Sequence, residues 1–391
     1  MPLVARSGLA GNPGRYPVLD ALRALAILLV LARHWAVASQ AAFGTVPGGL
    51  LATLSTNGWI GVDLFFVLSG FLISTHFVGP DAKPAGKARV LEFYRRRAFR
   101  TLPLYWGVIL LCWLSAAWAI GTPFSILSLA THLLFLQDYL GSDVMVTLWS
   151  LAVEEKFYLF APALLLLLMR AGRRAACVLL LLAMGAQCWS MLATAQALPQ
   201  ADYPTFFWAV RAPFHHAAFA ILAGVLVAIE HGASSTRRAP LSLFLALAAM
   251  ALALLAWRDW LGSQDWPMVC LIIALSSCLF ALLVRCGLAI NCWQPAFGAV
   301  RPLRYIAKLS YALYLVHYPL IGPATGLCHA LLGDAAKQAP ALSSMLFLVI
   351  YGALSWAGAW LLHMTLETPF LRLRDRLRPP ARPDAAPVTQ P

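Results

Sequence analysis

Apolar runs about 20 residues long recur along this sequence, and that is the length an α-helix needs to cross the hydrocarbon core of a bilayer. Each run is separated from the next by proline, glycine or charged residues. The runs lack the alternation of polar and apolar residues that is typical of half-buried strands. We therefore predict an all-α polytopic membrane protein with about ten transmembrane helices. The predicted helices cover residues 18–38, 58–78, 102–120, 148–169, 176–195, 213–230, 240–257, 267–285, 309–328 and 343–363.

The composition agrees with a chain whose main solvent is lipid. Of the 391 residues, 61% are hydrophobic and only 12% are charged, which is too little charge to cover a soluble domain of this length. The net charge of +13 does not indicate a nucleic-acid-binding face, because the basic residues lie in short clusters between apolar runs. The cysteines form no Cys-x-x-Cys pair and no zinc-type spacing with histidine. We expect neither a metal nor a nucleic-acid partner.

The distribution of Lys and Arg predicts the orientation of the chain. With a cytoplasmic N-terminus, most of the 29 basic residues fall on the cytoplasmic side, and an even number of spans returns the C-terminus there. The first run is longer than the apolar core of a signal peptide and contains Arg23, Arg33 and His34, so we expect it to be retained. The predicted division is a leader (1–17), a transmembrane domain (18–370) and a basic, proline-rich, disordered cytoplasmic tail (371–391).

Arg23 and His34 lie in the first predicted helix, and ionisable side chains inside a span are candidate functional residues. Their spacing of eleven residues makes three turns plus about 20°, so both share one helix face, about 16 Å apart along the axis. Alternatively, Arg23 is a topological anchor and His34 packs at the membrane interface beside Trp35. From the residues alone, the two interpretations of His34 are equally well supported.

The second run, GWIGVDLFFVLSGFLI, places Asp63 among aromatic residues. A lone carboxylate there must pair or take up a proton, and we expect Arg33 or His34 to be its structural partner. The small residues of this run allow close approach of helices and hydrogen bonding between them. We predict structural rather than catalytic roles for Gly58, Gly61, Gly70 and Ser69.

A cluster of arginines in FYRRRAFRTLPLYW precedes the third predicted helix on the cytoplasmic side. Arg97 and Arg100 are about one turn apart, so they share a face and can bind one polyanion together. The alternative is purely topological, because basic residues are expected at a cytoplasmic helix end.

Adjacent acids open the fourth predicted helix in TLWSLAVEEKFYLF. Glu154 and Glu155 point about 100° apart, so only one of them can face a given site. We place them near the membrane depth of His34, where a glutamate can orient the imidazole or act in acid–base chemistry. Lys156 is expected to neutralise the other glutamate.

Other candidates lie further along the chain. Arg211, His215 and His216 stand at the outer mouth of the sixth predicted helix, where they form a polar rim or simply pack at the interface. His317 lies within LSYALYLVHYPL, and we predict that it bonds to a neighbouring helix.

In this combination and order, the motifs resemble those of the acyltransferase-3 membrane family, over about residues 16–370. They are the Arg-x10-His pair, GWIGVDLFFVLSGF, YRRRAFR, WSLAVEEKFY and LSYALYLVHYPL. That family includes bacterial O-acetyltransferases that act on O-antigen, exopolysaccharide and peptidoglycan. The resemblance implies a ten-helix fold in the bacterial inner membrane and cytoplasmic acyl-coenzyme A, with acetyl the expected group, as co-substrate. It also implies an acceptor hydroxyl on a cell-surface or lipid-linked glycan.

The resemblance also implies roles for particular residues. His34 becomes a general base or a transient acyl carrier, with Glu154 and Glu155 as its catalytic partners. The donor-binding residues become Arg23, Arg97 and Arg100, and the substrate-binding residues Asp63 and Arg211. The adjacent histidines His215 and His216 depart from the family pattern. We find no segment resembling the SGNH-type hydrolase domain of some members, so we expect any acyl handover to such a domain to need another protein.

Two other classes of function remain open at this point. Intramembrane His, Glu and Arg also occur along translocation pathways, so the alternative is a transporter or flippase of a lipid-linked saccharide. The basic cluster near Arg23, and the absence of interrupted helices in paired halves, argue against it. A purely structural scaffold leaves the intramembrane charges unexplained, and the oligomeric state does not follow from the sequence.

Overall fold

The computed structural model describes residues 16–78, 86–120, 124–231, 240–290 and 301–377, and these ranges contain helices but no strand. The prediction of an all-α chain is therefore confirmed for them. The first half comprises α1 (Pro17–Phe43), α2 (Leu50–Thr56), α3 (Gly61–Val78), α4 (Lys87–Ile120), α5 (Ile126–Leu133), α6 (Gln137–Leu140), α7 (Trp149–Ala171) and α8 (Arg173–Gln196). The second half comprises α9 (Tyr203–Phe206), α10 (Phe214–His231), α11 (Leu241–Trp257), α12 (Trp266–Ile290), α13 (Arg301–Val316), α14 (Ile321–Leu332), α15 (Ala335–Gln338), α16 (Pro340–Leu362) and α17 (Thr368–Arg376).

Most of the leader and of the predicted tail falls outside the described residues. Of the segment predicted to be disordered, residues 371–376 belong to α17, and residues 378–391 are not described. The arginine cluster is not in a loop before a helix, because α4 is one continuous helix that contains it.

Seven stretches of the described chain are long and apolar enough to cross a membrane, which makes the protein an all-helical, multi-pass membrane protein. The other three predicted spans are not among these seven, each for an identifiable reason. α7 carries three consecutive charged residues, and α11 has only 17 residues. The predicted span 309–328 is wrong as a single helix, since α13 ends at Val316 and α14 begins at Ile321. Pro319 lies in the break, where its ring and its missing N–H group oppose a continuous helix.

Glycines bring α3 into direct backbone contact with α10. A Cβ atom added at Gly70 would lie 2.0 Å from the carbonyl oxygen of Ile221, and one added at Gly224 would lie 2.0 Å from that of Val67. Neither position can hold a larger residue without moving a helix backbone. The close packing predicted for Gly70 is thus confirmed, and its partner is α10.

Similar close contacts hold the first helix against α3 and the turn that precedes α3. A Cβ atom at Gly58 would lie 2.0 Å from the carbonyl oxygen of Leu29, and one at Gly61 would lie 2.6 Å from that of Ala26. On another side of α1, the indole of Trp35 donates a hydrogen bond of 3.0 Å to the carbonyl of Ser344 in α16. Because α1 packs against α3, α13 and α16, its residues Arg23 and His34 lie at different levels of the bundle and have different neighbours.

Candidate functional site

Two cavities lie along α1, one beside each of its candidate functional residues. The first, of about 100 Å³, is lined by polar groups that include Arg23, Arg97, Arg100, Glu154 and Tyr158. The second, of about 260 Å³, is lined by residues that include Arg33, His34, Trp59, Tyr203 and Arg211. The shared face predicted for Arg23 and His34 therefore borders two chambers and not one. We call them the arginine chamber and the histidine chamber.

The arginines of α4 fall into two pairs, and only one pair lines the arginine chamber. Arg97 and Arg100 line the chamber together with Arg23 of α1. Arg95 and Arg96 instead bind Glu92 of their own helix, at 2.5 Å and 2.6 Å. The Arg97 guanidinium also lies over the ring of Tyr158, 5.6 Å from its centroid. Three guanidinium groups converging on one small chamber form a site suited to phosphate groups.

Glu154 belongs to the arginine chamber. The hydroxyl of Tyr158 donates a hydrogen bond of 2.8 Å to its Oε2, and the three chamber arginines interact with it electrostatically. The prediction that Glu154 lies at the depth of His34 is wrong. The reason is the starting point of α7: Trp149 at its N-terminus lines the histidine chamber, and Glu154 is about 7.5 Å further along the axis.

Glu155 and Lys156 face away from the position expected for them. Glu155 lies beside Thr101, on the side of Arg97. Lys156 does not neutralise a glutamate, as its ammonium group binds the buried carboxylate of Asp138 and the carbonyl of Phe135. Burial raises the pKa of the Asp138 carboxyl, and the hydrogen bond from Lys156 acts in the opposite direction. Neither glutamate is therefore a partner of His34.

The ring of His34 is oriented by its own helix. Its Nδ1 lies 2.9 Å from the carbonyl oxygen of Val30, and because a carbonyl only accepts, Nδ1 carries the proton. In the neutral ring Nε2 then has a free lone pair, and the hydrogen bond of His34 to Val30 leaves this atom available. A neutral imidazole with an unoccupied Nε2 in a chamber can accept a proton or bond to an electrophilic carbon.

Two rings from the segment after α13 lie beside His34, and the sequence did not predict this contact. The ring of His317 lies 4.9 Å from that of His34, and the ring of Tyr318 lies at 5.5 Å. The predicted bond from His317 to a neighbouring helix is wrong: its Nδ1 donates to the carbonyl of Leu313, 3.1 Å away in the helix that it directly follows, and its Nε2 has no hydrogen-bond partner among the described residues. The break after α13 turns these two rings towards α1.

Asp63 and Arg211 form a buried bidentate ion pair. Nη1 and Nη2 of Arg211 lie 2.8 Å and 2.9 Å from the two carboxylate oxygens. The guanidinium is also flanked by Trp59 and Trp149, with 5.5 Å and 5.1 Å to the ring centroids. The expected partners of Asp63 were wrong: Arg33 donates to the carbonyl of Thr56 instead, at 3.0 Å. Arg211 lines the histidine chamber, and Asp63 lies behind it.

Ser69 lines the arginine chamber, 3.2 Å from the hydroxyl of Tyr158, whereas His215 and His216 border neither chamber. His215 stacks on Tyr139, and His216 accepts or donates a hydrogen bond with Ser190 at 2.9 Å. The sequence also gave no signal for Val62, Ser150 or Tyr314, which line the chambers and are neutral residues in apolar helices. In the part of the chain that the structure describes, no group of three or more His, Cys, Asp or Glu residues is arranged to hold a metal.

The sequence of this chain is similar to those of known proteins. Residues 16–364 match the family model described as an acyltransferase domain. A putative peptidoglycan O-acetyltransferase of Bacillus subtilis is 28% identical over 335 residues, which cover 78% of this chain and 48% of the relative. A peptidoglycan O-acetyltransferase of Listeria monocytogenes is 30% identical over 169 residues, covering 39% of this chain and 25% of the relative. The chain thus spans about half the length of the first relative and a quarter of the second. No solved structure matches the chain.

Proposed function

Since this chain belongs to the acyltransferase family whose model covers residues 16–364, we propose that it is a membrane O-acyltransferase of the bacterial inner membrane. It moves an acyl group, normally acetyl, from cytoplasmic acyl-coenzyme A to a hydroxyl of a cell-surface or lipid-linked glycan. Peptidoglycan, the polymer for which the relatives are named, is the first acceptor to test. The observation that carries the proposal is the meeting of an arginine-lined chamber and a histidine-lined chamber along one helix.

The proposed topology has ten spans with both termini in the cytoplasm. It adds α7, α11 and the broken pair α13–α14 to the seven longer candidates. The charges of α7 are compatible with a span because Glu154 faces arginines and Lys156 is paired with Asp138. In this orientation the arginine chamber opens towards the cytoplasm, where the donor is found, and His34 lies towards the opposite side.

The arginine chamber is the proposed donor site. Arg97 and Arg100 bind phosphate groups of the coenzyme, and Arg23 extends the positive charge along α1 towards His34. Glu154, held by Tyr158, offsets part of this charge when no donor is bound. We therefore assign Glu154 to the donor site and not to the orientation of the imidazole, which Val30 already provides.

His34 then acts in one of two ways. As a base, its Nε2 takes the proton of the acceptor hydroxyl while that oxygen bonds to the acyl carbon; the carbon–sulfur bond breaks, and the imidazolium returns the proton to the departing thiolate. As a carrier, Nε2 itself bonds to the acyl carbon and displaces the thiolate. The acceptor oxygen then takes the acyl group from Nε2, and the hydroxyl proton passes to the thiolate. Arg211, held by Asp63, supplies hydrogen bonds to the acceptor in the same chamber.

The proposal is tested with the purified protein in lipid vesicles. Labelled acetyl-coenzyme A and peptidoglycan fragments or a lipid-linked glycan are supplied, and the glycan is analysed by mass spectrometry. We expect acetyl esters on the glycan only when the protein and both substrates are present. Movement of unmodified lipid-linked saccharide across the vesicle membrane without acetyl transfer would favour the transporter alternative.

Alanine substitution of Arg97 or Arg100 is expected to weaken acetyl-coenzyme A binding by about 10- to 100-fold, since a hydrogen bond to a charged group contributes on the order of 1.5–3 kcal/mol. The matched controls are Arg95→Ala and Arg96→Ala, which remove the same charge from the same helix but from side chains bound to Glu92. Affinity is measured by isothermal titration calorimetry in detergent. Equal losses from all four variants would mean that the cluster acts only through its overall charge.

A further inference from the structure

The histidine chamber contains a positive charge that the proposed reaction does not use. Two arginines, Arg33 and Arg211, line this chamber, and no described Asp or Glu lines it with them. The charge of Arg211 is offset, because both of its Nη atoms bind the carboxylate of Asp63 behind it. The charge of Arg33 is therefore the one that remains uncompensated in the chamber.

The contacts of Arg33 are with uncharged groups. Its Nη1 donates a hydrogen bond of 3.0 Å to the carbonyl of Thr56, and its guanidinium also interacts with the phenol of Tyr203. The acid next to that tyrosine, Asp202, is engaged elsewhere, as its Oδ1 accepts a hydrogen bond of 3.0 Å from the backbone N–H of Thr205. A guanidinium has five N–H donors, so Arg33 keeps donors for a further partner.

Membrane topology does not account for Arg33. In the proposed orientation His34 lies towards the outer side of the membrane, and Arg33 is the residue next to it. Arginines that serve as topological anchors accumulate on the cytoplasmic side instead. A partly buried cation without a counter-charge also costs free energy, which an anion bound beside it offsets. Arg33 is therefore a candidate ligand-binding residue.

Arg33 and His34 reach the same chamber from consecutive positions of α1. Their Cα atoms are about 3.8 Å apart, and their side chains leave the helix about 100° apart. Both nevertheless line one cavity of about 260 Å³. A group bound by Arg33 and a hydroxyl placed at Nε2 of His34 therefore belong to the same sugar or to neighbouring sugars. Much of the remaining wall is aromatic, as in sites where a few polar groups orient a ligand against apolar surfaces.

We propose that the histidine chamber takes an anionic glycan, and that Arg33 binds its carboxylate or phosphate group while His34 acts on a nearby hydroxyl. The guanidinium group matches the paired oxygens of either anion. This inference rests on the proposed function and narrows it, because it restricts the acceptor to glycans with a negative charge close to the acylated hydroxyl. A carboxylate on the sugar and the diphosphate of a lipid carrier are two sources of the same chemistry, and the experiment separates them.

The test compares three acceptors for the purified protein in lipid vesicles, with acetyl-coenzyme A as donor. The first is a peptidoglycan disaccharide whose lactyl group ends in a carboxylate, and the second is the same disaccharide with that group converted to a neutral methyl amide. The third is the neutral disaccharide joined to an isoprenyl diphosphate. We expect the wild type to prefer at least one anionic acceptor over the neutral one by about 10- to 100-fold in kcat/KM, the range for a hydrogen bond to a charged group.

Arg33→Gln should reduce this preference to about one by lowering kcat/KM for the anionic acceptor alone. Arg33→Lys keeps the charge but not the paired donors, so its preference should lie between those of the wild type and the glutamine variant. The matched control is Arg258→Gln, which removes an arginine from the same side of the membrane in the proposed orientation. Arg258 lies over the ring of Trp260 and lines neither chamber, so its variant should keep the wild-type preference.

The outcomes separate the two proposals. An Arg33-dependent preference for the free carboxylate identifies the charge on the sugar, and one for the diphosphate-linked acceptor identifies the lipid carrier. Equal transfer to all three acceptors by the wild type would overturn the inference and leave the acyltransferase proposal standing. An equal fall for charged and neutral acceptors in Arg33→Gln, or loss of the preference in Arg258→Gln, would also overturn it. No transfer to any acceptor would overturn the proposed function, and the inference with it. If Arg33→Gln does not fold, the preference of Arg33→Lys decides.

Discussion

Replacing His34 with alanine is expected to lower the rate of acyl transfer to the glycan by about 10²–10⁴-fold, the range that one acid–base group contributes. The substitution removes Nε2, and no other described histidine lines the histidine chamber. Donor binding should change little, because the arginines proposed to bind the donor line the other chamber. Transfer is measured as acetyl esters per glycan, and binding by calorimetry on the same preparation.

Two further histidine variants serve as controls. His329→Ala alters an exposed histidine of α14 outside both chambers and should leave the rate at the wild-type level. His317→Ala removes the ring beside His34 and tests whether that ring matters for its position. Unchanged transfer by His34→Ala would exclude both roles proposed for this residue.

The same protein can distinguish the two mechanisms. With acetyl-coenzyme A and no acceptor, a carrier mechanism predicts a labelled acetyl group on the peptide that contains His34, and this label should disappear when the acceptor is added. A base mechanism predicts no label at any time. The Nδ1 hydrogen bond to Val30 is compatible with both, because it leaves Nε2 as the reacting atom in either case.

The sequence predicted those features that follow from local pattern. The helical class follows from the length of the apolar runs, and the shared face of Arg23 and His34 follows from their spacing. The close contacts of Gly58, Gly61 and Gly70 follow from their size. Each of these predictions rests on residues that are near one another in the sequence.

Features that depend on where one helix begins relative to another could not be predicted. The depth of Glu154 is set by the turns before α7, and it places the carboxylate with the arginines instead of with His34. The partner of Asp63 is 148 residues away on a π-helical turn, a separation at which one sequence carries no pairing signal. Tyr314 was missed because nothing in its sequence context distinguishes a chamber wall from a packing residue.

Loss of either partner of the Asp63–Arg211 pair is expected to destabilise the fold by about 3–5 kcal/mol, since a buried charge is then left without its counter-charge. Asp63→Ala and Arg211→Ala should each lower the midpoint of thermal unfolding in detergent. The double variant should lose less stability than the sum of the two single losses, as expected for residues in direct contact. Arg211→Lys keeps the charge but not the bidentate geometry, so it should fall between the wild type and alanine.

The matched control is the pair between Arg285 and Glu230, whose side chains are 47% and 33% exposed. Solvent screens such a pair, so Arg285→Ala should cost no more than about 1 kcal/mol. If Arg211→Ala unfolds at the wild-type temperature but loses acyl transfer, Arg211 acts only on the acceptor. The burial of Asp63 then does not depend on Arg211. If the unfolding midpoint and acyl transfer both fall in Arg211→Ala, the ion pair is what holds Arg211 in the histidine chamber. The contribution of Arg211 to acceptor binding is then measured with Arg211→Lys, which keeps the fold but presents a different hydrogen-bonding group.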